Sequence, residues 1–338
     1  MLRIIVIIVQ ILLGCFVFAQ HPNVSHEQVI QGRAQGTTYL IRYFSNQVIH
    51  KDNIDSLLNS IDASMSLYNP SSLISIFNQA STKVIHMDPH MAEVVRKGLQ
   101  MHKRTKGYFD ITILPLVKLW GFGAEGVKHD PTDYEVSAIL PLVGIQNLKI
   151  RGKKLIKNNP GVSIDLNGIA QGYSVDVVAQ YLEDNNIQNY LVEIGGEIRV
   201  KGTKESKSWQ IAIQRPLSRL AIDSLTHYKL NLKDKAVTTS GTYENRRVVG
   251  QTHISHHINP ITGYPVKNVI VSATVIANTA MEADAFDNYF MYLKPSSAIE
   301  FADKIKGIEV YLIYFDNNSY KEVFSKGFKN YIYNASAI

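Results

Sequence analysis

The stretch Val162-Ser-Ile-Asp-Leu-Asn-Gly-Ile-Ala-Gln-Gly-Tyr-Ser-Val-Asp176 changes its period half-way along. Val162, Ile164 and Leu166 alternate with Ser163 and Asp165, the pattern of a strand, and Ile169, Ala170, Tyr173 and Val177 then recur at helical spacing. The segment reads as strand, tight turn, helix. A helix N-terminus behind a turn of small residues offers free N–H groups and a positive dipole end to a phosphate, while turn carbonyls can face a metal. An ordinary buried strand-to-helix turn carries the same pattern, so the stretch by itself leaves the chemistry open.

Toward the N-terminus, Gly36 to Phe44 is rich in β-branched and aromatic residues and reads as a strand, followed by a helix from about Asp52 with Ile54, Leu57, Leu58, Ile61 and Met65 on one face. That helix runs out at Tyr68-Asn69-Pro70, and Ser71 is placed to cap a short helix carrying Leu73, Ile74 and Phe77. After a strand near Lys83 to Met87, Asp88-Pro89 opens a helix through Met91, Val94, Val95 and Leu99 that Gly107 closes. Residues 108–123 keep no single period; a helix is expected near Pro131 to Leu140, and Leu148 to Ile156 reads as a hairpin turned at Arg151-Gly152-Lys153.

Toward the C-terminus strands dominate: Tyr190–Ile194, Glu197–Lys201, Trp209–Gln214, Tyr228–Leu232 and Val269–Ile276. Helices follow from Ala280 to about Leu293 and over Ser296–Ile305, then a pair of strands, Glu309–Phe315 and Tyr320–Phe324, turned at Asn317-Asn318. Strands without regular helix alternation argue for an α+β fold over a doubly wound sheet. No repeat or low-complexity linker marks a boundary, so one compact, two-lobed domain with mixed or antiparallel sheets flanked by helices is expected from residue 20 to residue 338.

The 338 residues, 45% hydrophobic and 19% charged, have an ordinary globular balance. Met1-Leu2-Arg3, the apolar run Ile4 to Ala19 and the small residue before Gln20 make residues 1–19 a secretory signal peptide, too short and wrongly flanked for a retained membrane span. The single cysteine, Cys15, follows Leu12-Leu13-Gly14 in the manner of a lipoprotein box, but the apolar run continues past it, which favours cleavage after Ala19 over a lipid anchor at Cys15. With no other cysteine, an internal disulfide and a thiolate zinc site are both excluded. The net charge of +6 is scattered, which argues against nucleic acid and leaves room for an anionic small molecule.

In Thr279 to Asn288, the side chains of Asp284, Asp287 and Asn288 stand at i, i+3 and i+4 and share one helical face. Two carboxylates and an amide oxygen suit a hard divalent cation such as Mg2+; acidic residues near a helix start also simply complement its dipole, which accounts for Glu282. His256-His257, before the Asn259-Pro260 turn, offer a base or a metal ligand, and on a strand only one of the two would face a given site. Gly195-Gly196-Glu197 and Thr238-Thr239-Ser240-Gly241 would let backbone approach a ligand closely. Neither turn is a GxGxxG or a GxxxxGK[ST], which removes the Rossmann and P-loop readings of them, and no GxSxG or HExxH occurs, which removes the corresponding hydrolase readings.

Taken in order, these blocks resemble the ApbE family of periplasmic flavin transferases, FAD:protein FMN transferases. The likeness rests on Gly36-Thr-Thr-Tyr39, Met65-Ser-Leu-Tyr-Asn-Pro70, Phe109-Asp-Ile-Thr112, Leu119-Trp-Gly-Phe-Gly123, Asp165 to Asp176, Glu193-Ile-Gly-Gly-Glu197, Thr239-Ser-Gly241, Asn259-Pro260 with Thr262-Gly263, and Glu282-Ala-Asp284, spread over nearly the whole mature chain. The resemblance implies an ApbE-like, T-fold-like domain with FAD in an elongated cleft. Contacts to FAD would come from Tyr68, Tyr108, Phe109, Asp110, Asp165 and Ile258, from Gln35 where the family usually has methionine, and from Gln171 where it usually has Lys or Glu. It also implies a Mg2+ site made of the Gly168 carbonyl, Asp284, Asp287 and Asn288, the last in place of a threonine, and a base at His256. The reaction implied attaches FMN to a Thr or Ser of an exported flavoprotein subunit and releases AMP, in the periplasm and, were Cys15 lipidated, at the inner membrane. The same residues would also serve an FAD diphosphatase giving FMN and AMP, or a flavin-binding protein without turnover.

Overall fold

The strand Ile270–Ala277 is buried along its whole length, the mark of a strand inside a sheet that is covered on both faces. In a computed structural model that describes residues 26–123, 130–213, 228–241, 246–249, 252–267 and 269–333, the chain runs through β1 (Glu27–Ala34), β2 (Thr37–Phe44), α1 (Lys51–Met65), α2 (Leu73–Asn78), β3 (Val84–His86), α3 (Pro89–Arg104), α4 (Leu114–Leu119), α5 (Asp133–Ile139), β4 (Leu148–Arg151) and β5 (Lys154–Lys157). It continues through α6 (Asn167–Asp184), β6 (Tyr190–Ile194), β7 (Glu197–Lys201), β8 (Trp209–Ala212), β9 (Lys229–Leu232), β10 (Lys235–Gly241), β11 (Arg246–Val249), β12 (Thr252–Ser255), β13 (Ile270–Ala277), α7 (Ala280–Phe290), α8 (Pro295–Asp303), β14 (Glu309–Asp316) and β15 (Ser319–Phe324). The segment read as a signal peptide lies outside the described residues. No helix among them is long and apolar enough to cross a membrane.

Eight strands form the main sheet in the order β1-β2-β6-β7-β10-β13-β14-β15, every pair antiparallel. The fold class is therefore α+β, as expected, with antiparallel pairing throughout the described strands. Period-two alternation divides the core: Val310 and Leu312 of β14 pack with α3, α6, α7 and α8, while Tyr311 and Ile313 turn to the opposite face, against β8, β9 and Phe328. Ile41, Tyr43, Val192 and Ile194 pack under α1 and α6 in a further cluster.

Several local expectations change. Val162, Ile164 and Leu166 are buried, but Val162–Leu166 forms no strand and joins no sheet. Its backbone is satisfied by other means: Asn78 donates from Nδ2 to Ile164 O (2.8 Å) and accepts from Ile164 N at Oδ1 (2.7 Å), Asp165 N donates to Ile111 O (2.7 Å), and Lys157 Nζ donates to Val162 O (3.0 Å). Buried peptide groups need partners, not a strand in particular. The cap of α2 is Ser72, whose Oγ accepts from Ser75 N, not Ser71. β1 and β10 escape the sequence pattern because their sequences, EQVIQGRA and KAVTTSG, hold few apolar residues to alternate.

Candidate functional site

The helices α6 and α7 cross closely enough that a Cβ on Gly172 would lie 2.4 Å from Ala280 O. Asp176 locks the crossing, accepting from Ala280 N (3.0 Å) and Met281 N (2.9 Å) at the start of α7 and from Arg199 Nη1 (2.8 Å) on β7. These are the donors a helix leaves unpaired at its N-terminus. Burial raises the Asp176 carboxyl, and the Arg199 charge works against that rise.

The start of α6 is kinked at Gly168 (φ −77°, ψ 15°). The N–H of Gly172, which a regular helix would aim at Gly168 O, donates to Asp284 Oδ2 at 2.9 Å. Gly168 O in turn faces the side chain of Asn288, with Asn288 Nδ2 at 3.4 Å. The same amide nitrogen lies 3.0 Å from Asp284 O, 3.2 Å from Asp284 Oδ1 and 3.1 Å from Asp287 Oδ1. Four oxygens thus converge on one electropositive group. Their need is for positive charge, and a flip of the Asn288 amide, which exchanges its nitrogen and oxygen, would make Asn288 a fourth side of an all-oxygen cage for a hard cation. As the amide stands, its nitrogen and not the expected oxygen faces the two carboxylates.

Asp284 and Asp287 are 4% and 2% exposed. Burial pushes the Asp284 carboxyl up to about 7 and holds that of Asp287 well above the ordinary range, the latter also through the charge of Asp284. Glu197 is raised for the same two reasons, burial first and then the Asp284 charge. Among the described residues no three His, Cys, Asp or Glu side chains form a metal-holding group. The set here is two carboxylates, a backbone carbonyl and an amide. Glu282, by contrast, forms an ion pair with Arg104 and is no part of the set.

This face of α7 opens into a cleft of about 670 Å³ whose walls include Gly168, Asp284, Asp287 and Asn288. Tyr68, Tyr108, Phe109, Asp110, Asp165, Gln171, His256 and Ile258 also line it. A second hollow of about 810 Å³ adjoins it and shares Tyr68, Val117, Phe122, Asp165 and Asn167, so the whole is elongated and of a size for a dinucleotide. Of the residues expected at the site only Gln35 stands outside: it sits in the β1–β2 turn at φ 54° and donates from Nε2 to Ser174 Oγ (2.8 Å). Tyr68 is 77% exposed, an aromatic face at the mouth. Asp110 reaches the wall with its oxygens engaged inward, Oδ1 accepting from Thr112 N (2.8 Å) and Oγ1 (2.6 Å) and Oδ2 lying 3.1 Å from His102 Nδ1. Gln171 donates from Nε2 to Ile194 O (3.0 Å) and lies over Gly195, where a Cβ would meet it at 1.8 Å.

The histidine pair departs from the alternation expected of a strand. β12 ends at Ser255, and both rings line the cleft, in contact with centroids 4.1 Å apart and planes tilted by 37°. His257 is buried, with Nε2 3.2 Å from Ser240 Oγ, and burial keeps its pKa well below the ordinary value, aided by the neighbouring His256. Other residues that line the cleft were not among the expected contacts: Tyr292 has no motif to mark it, while Asn167 sits in the turn of the opening stretch and Glu197 beside its paired glycines. An acid directly after a paired-glycine hairpin was the available signal for Glu197.

With this geometry in hand, comparison with known proteins gives a consistent result. The model of the ApbE family matches residues 35–312. The chain belongs to the ApbE family. A Vibrio cholerae protein named FAD:protein FMN transferase is 37% identical over 317 residues, 90% of this chain and 93% of that protein. The Escherichia coli K12 protein of the same name is 33% identical over 289 residues, 83% of this chain and 81% of its own. Among solved structures, the flavin transferase ApbE from Vibrio cholerae superposes with a TM-score of 0.80 at 35% identity, covering 91% of this chain and 99% of that one. The apo form of the Pseudomonas stutzeri flavinyl transferase ApbE gives 0.81 at 29% identity, covering 91% and 97%.

Proposed function

We propose that the protein is a Mg2+-dependent FAD:protein FMN transferase, which moves FMN from FAD onto a Thr or Ser hydroxyl of an exported flavoprotein and releases AMP. The observation that carries this reading is the carbonyl of Gly168, held against Asp284, Asp287 and Asn288 at the wall of a dinucleotide-sized cleft. Gly168 O, the two carboxylates and the flipped Asn288 amide would hold the Mg2+, which when bound polarises phosphoryl oxygens and offsets the charge of a breaking pyrophosphate.

The chain's own residues supply the remainder. Tyr68 and Tyr108 present rings for stacking a flavin or an adenine, and Gly195 and Gly241 let backbone approach the phosphates. His256, the more exposed of the two adjoining histidines, takes the proton of the acceptor hydroxyl as its oxygen bonds to the FMN-side phosphorus and AMP departs with the electron pair of the broken P–O bond. The buried His257, held neutral, backs the His256 ring and limits its orientation. Activity in the periplasm, after removal of residues 1–19, is part of the proposal and is supported by the leader sequence alone.

The test incubates the mature protein with FAD and Mg2+, with and without a purified acceptor flavoprotein subunit, and follows both by mass spectrometry. A gain on the acceptor equal to one FMN supports transfer. Release of free FMN at the same rate with or without the acceptor makes water the nucleophile and the protein a diphosphatase. Unchanged FAD that co-purifies would reduce it to a binding protein.

A further inference from the structure

Lys157, in β5, is 1% exposed and forms no ion pair among the described residues. A desolvated ammonium without a counter-ion is costly unless all its hydrogens find acceptors. They do: Nζ donates to Phe77 O (2.9 Å), Gln79 O (2.9 Å) and Val162 O (3.0 Å), and stands 5.2 Å from the centroid of the Phe77 ring. Three donors are all an ammonium has. Phe77 O and Gln79 O belong to the end of α2, where carbonyls lack helical partners, and they flank Asn78, whose amide grips both backbone groups of Ile164. The lysine therefore ties the Val162–Leu166 segment to the end of α2 at Val162, and Asn78 ties it again two residues on. Asp165 follows at once and Gly168 three residues later.

We infer that Lys157 is a positioning residue for the cleft: by binding Val162 to the end of α2 it sets where Asp165 and the Gly168 carbonyl stand. Replacing the ammonium with an apolar chain of similar length leaves the Phe77 and Val162 carbonyls without that donor, while Gln79 O keeps Thr82 N (3.1 Å), and the stretch between Val162 and the Asp165 N–Ile111 O bond is the part free to shift. The inference rests on the reading of the cleft as the FAD and cation site.

The test compares Lys157→Met with Leu230→Ala, which disturbs the core on the opposite face of the sheet. For each, FAD affinity is measured by flavin fluorescence, Mn2+ affinity without FAD by electron paramagnetic resonance, and the KM for FAD separately from that for the acceptor. Lys157→Met is expected to weaken FAD and Mn2+ binding about tenfold or more, as sub-ångström misplacement in a site does, with the acceptor KM unchanged; Leu230→Ala is expected to lower Tm and move neither affinity beyond about twofold, because distant sites act independently. Affinities in Lys157→Met equal to those of wild type, or an equal loss in Leu230→Ala, overturn the inference. Where Lys157→Met is not recovered folded, Lys157→Gln, which keeps an amide donor, carries the same comparison. A wild-type protein that binds neither ligand would sink the functional reading instead; hydrogen exchange at the Ile164 and Asp165 amides then decides the positioning role, faster exchange in the variant supporting it and unchanged exchange refuting it.

Discussion

Replacing Gly172 with alanine puts two opposed effects in competition. In an exposed helix the change would stabilise by up to about 1 kcal/mol, because alanine has the higher helix propensity. Here the added methyl would stand 2.4 Å from Ala280 O, 2.6 Å from Ala280 C and 2.8 Å from Met281 N, all backbone atoms that no rotamer change can move. Reaching ordinary contact requires α6 and α7 to part by roughly 0.6–1 Å, an overpacking that costs about 1–3 kcal/mol. At about 2–4 °C per kcal/mol, Tm should fall by several degrees. The same motion withdraws Gly172 N from Asp284 Oδ2 and carries the α7 carboxylates away from Gly168 O, so the loss of activity should far exceed the loss of stability, on the order of a hundredfold for a displacement near 1 Å. The assays are a thermal melt and the rate of FMN transfer by mass spectrometry, both with saturating Mg2+. A variant that melts higher than wild type and transfers at the wild-type rate would refute both the close crossing and its part in forming the cation site.

Other outcomes follow from the same geometry. Asp284→Ala should abolish turnover and Asn288→Ala should only impair it, since the first removes a buried carboxylate and the second one neutral donor; full activity in Asp284→Ala would eliminate the site. Adding Mg2+ at about a hundred times its Kd should stabilise the folded protein by about 2.7 kcal/mol, read as a rise in Tm that EDTA reverses, and a melting curve indifferent to both reagents would count against a cation between Asp284 and Asp287. Tyr68→Ala should weaken FAD binding by about 1–3 kcal/mol, the range of a lost stacking face, with Tm unchanged because the ring is exposed. Gln35→Ala, outside the cleft, should leave FAD affinity within about twofold; an equal loss in both variants would mean that FAD reaches beyond the cleft as drawn.

Much of the site was legible because its residues are grouped in short blocks whose chemistry survives in one dimension. The i, i+3, i+4 placement of Asp284, Asp287 and Asn288 identifies a helical face from spacing alone, and the small-residue turn before Ile169 marks a place where backbone is available. The α1, α3, β6, β7 and β13 segments were likewise readable, since each buries one face or two and the apolar period shows it. Edge strand β1 and the Thr-rich β10 were not, because their pairing is made by backbone groups that every residue carries.

By itself the amino-acid sequence determined the fold class, the oxygen-rich chemistry of the acidic helix and the family likeness. Tertiary structure alone decided that Gly168 O is turned toward that helix: the kink in α6, the diversion of Gly172 N to Asp284 and the grip of Asp176 on the first amides of α7 all join residues more than a hundred positions apart. It alone also decided that Val162–Leu166 is held by Lys157 and Asn78 in place of a neighbouring strand, and that both histidines face the cleft. The reason is common to all of them. A hydrogen bond between a side chain and a distant peptide group leaves no periodicity in the sequence, because any peptide can supply the partner and only the packing of the helices on the sheet selects which one does.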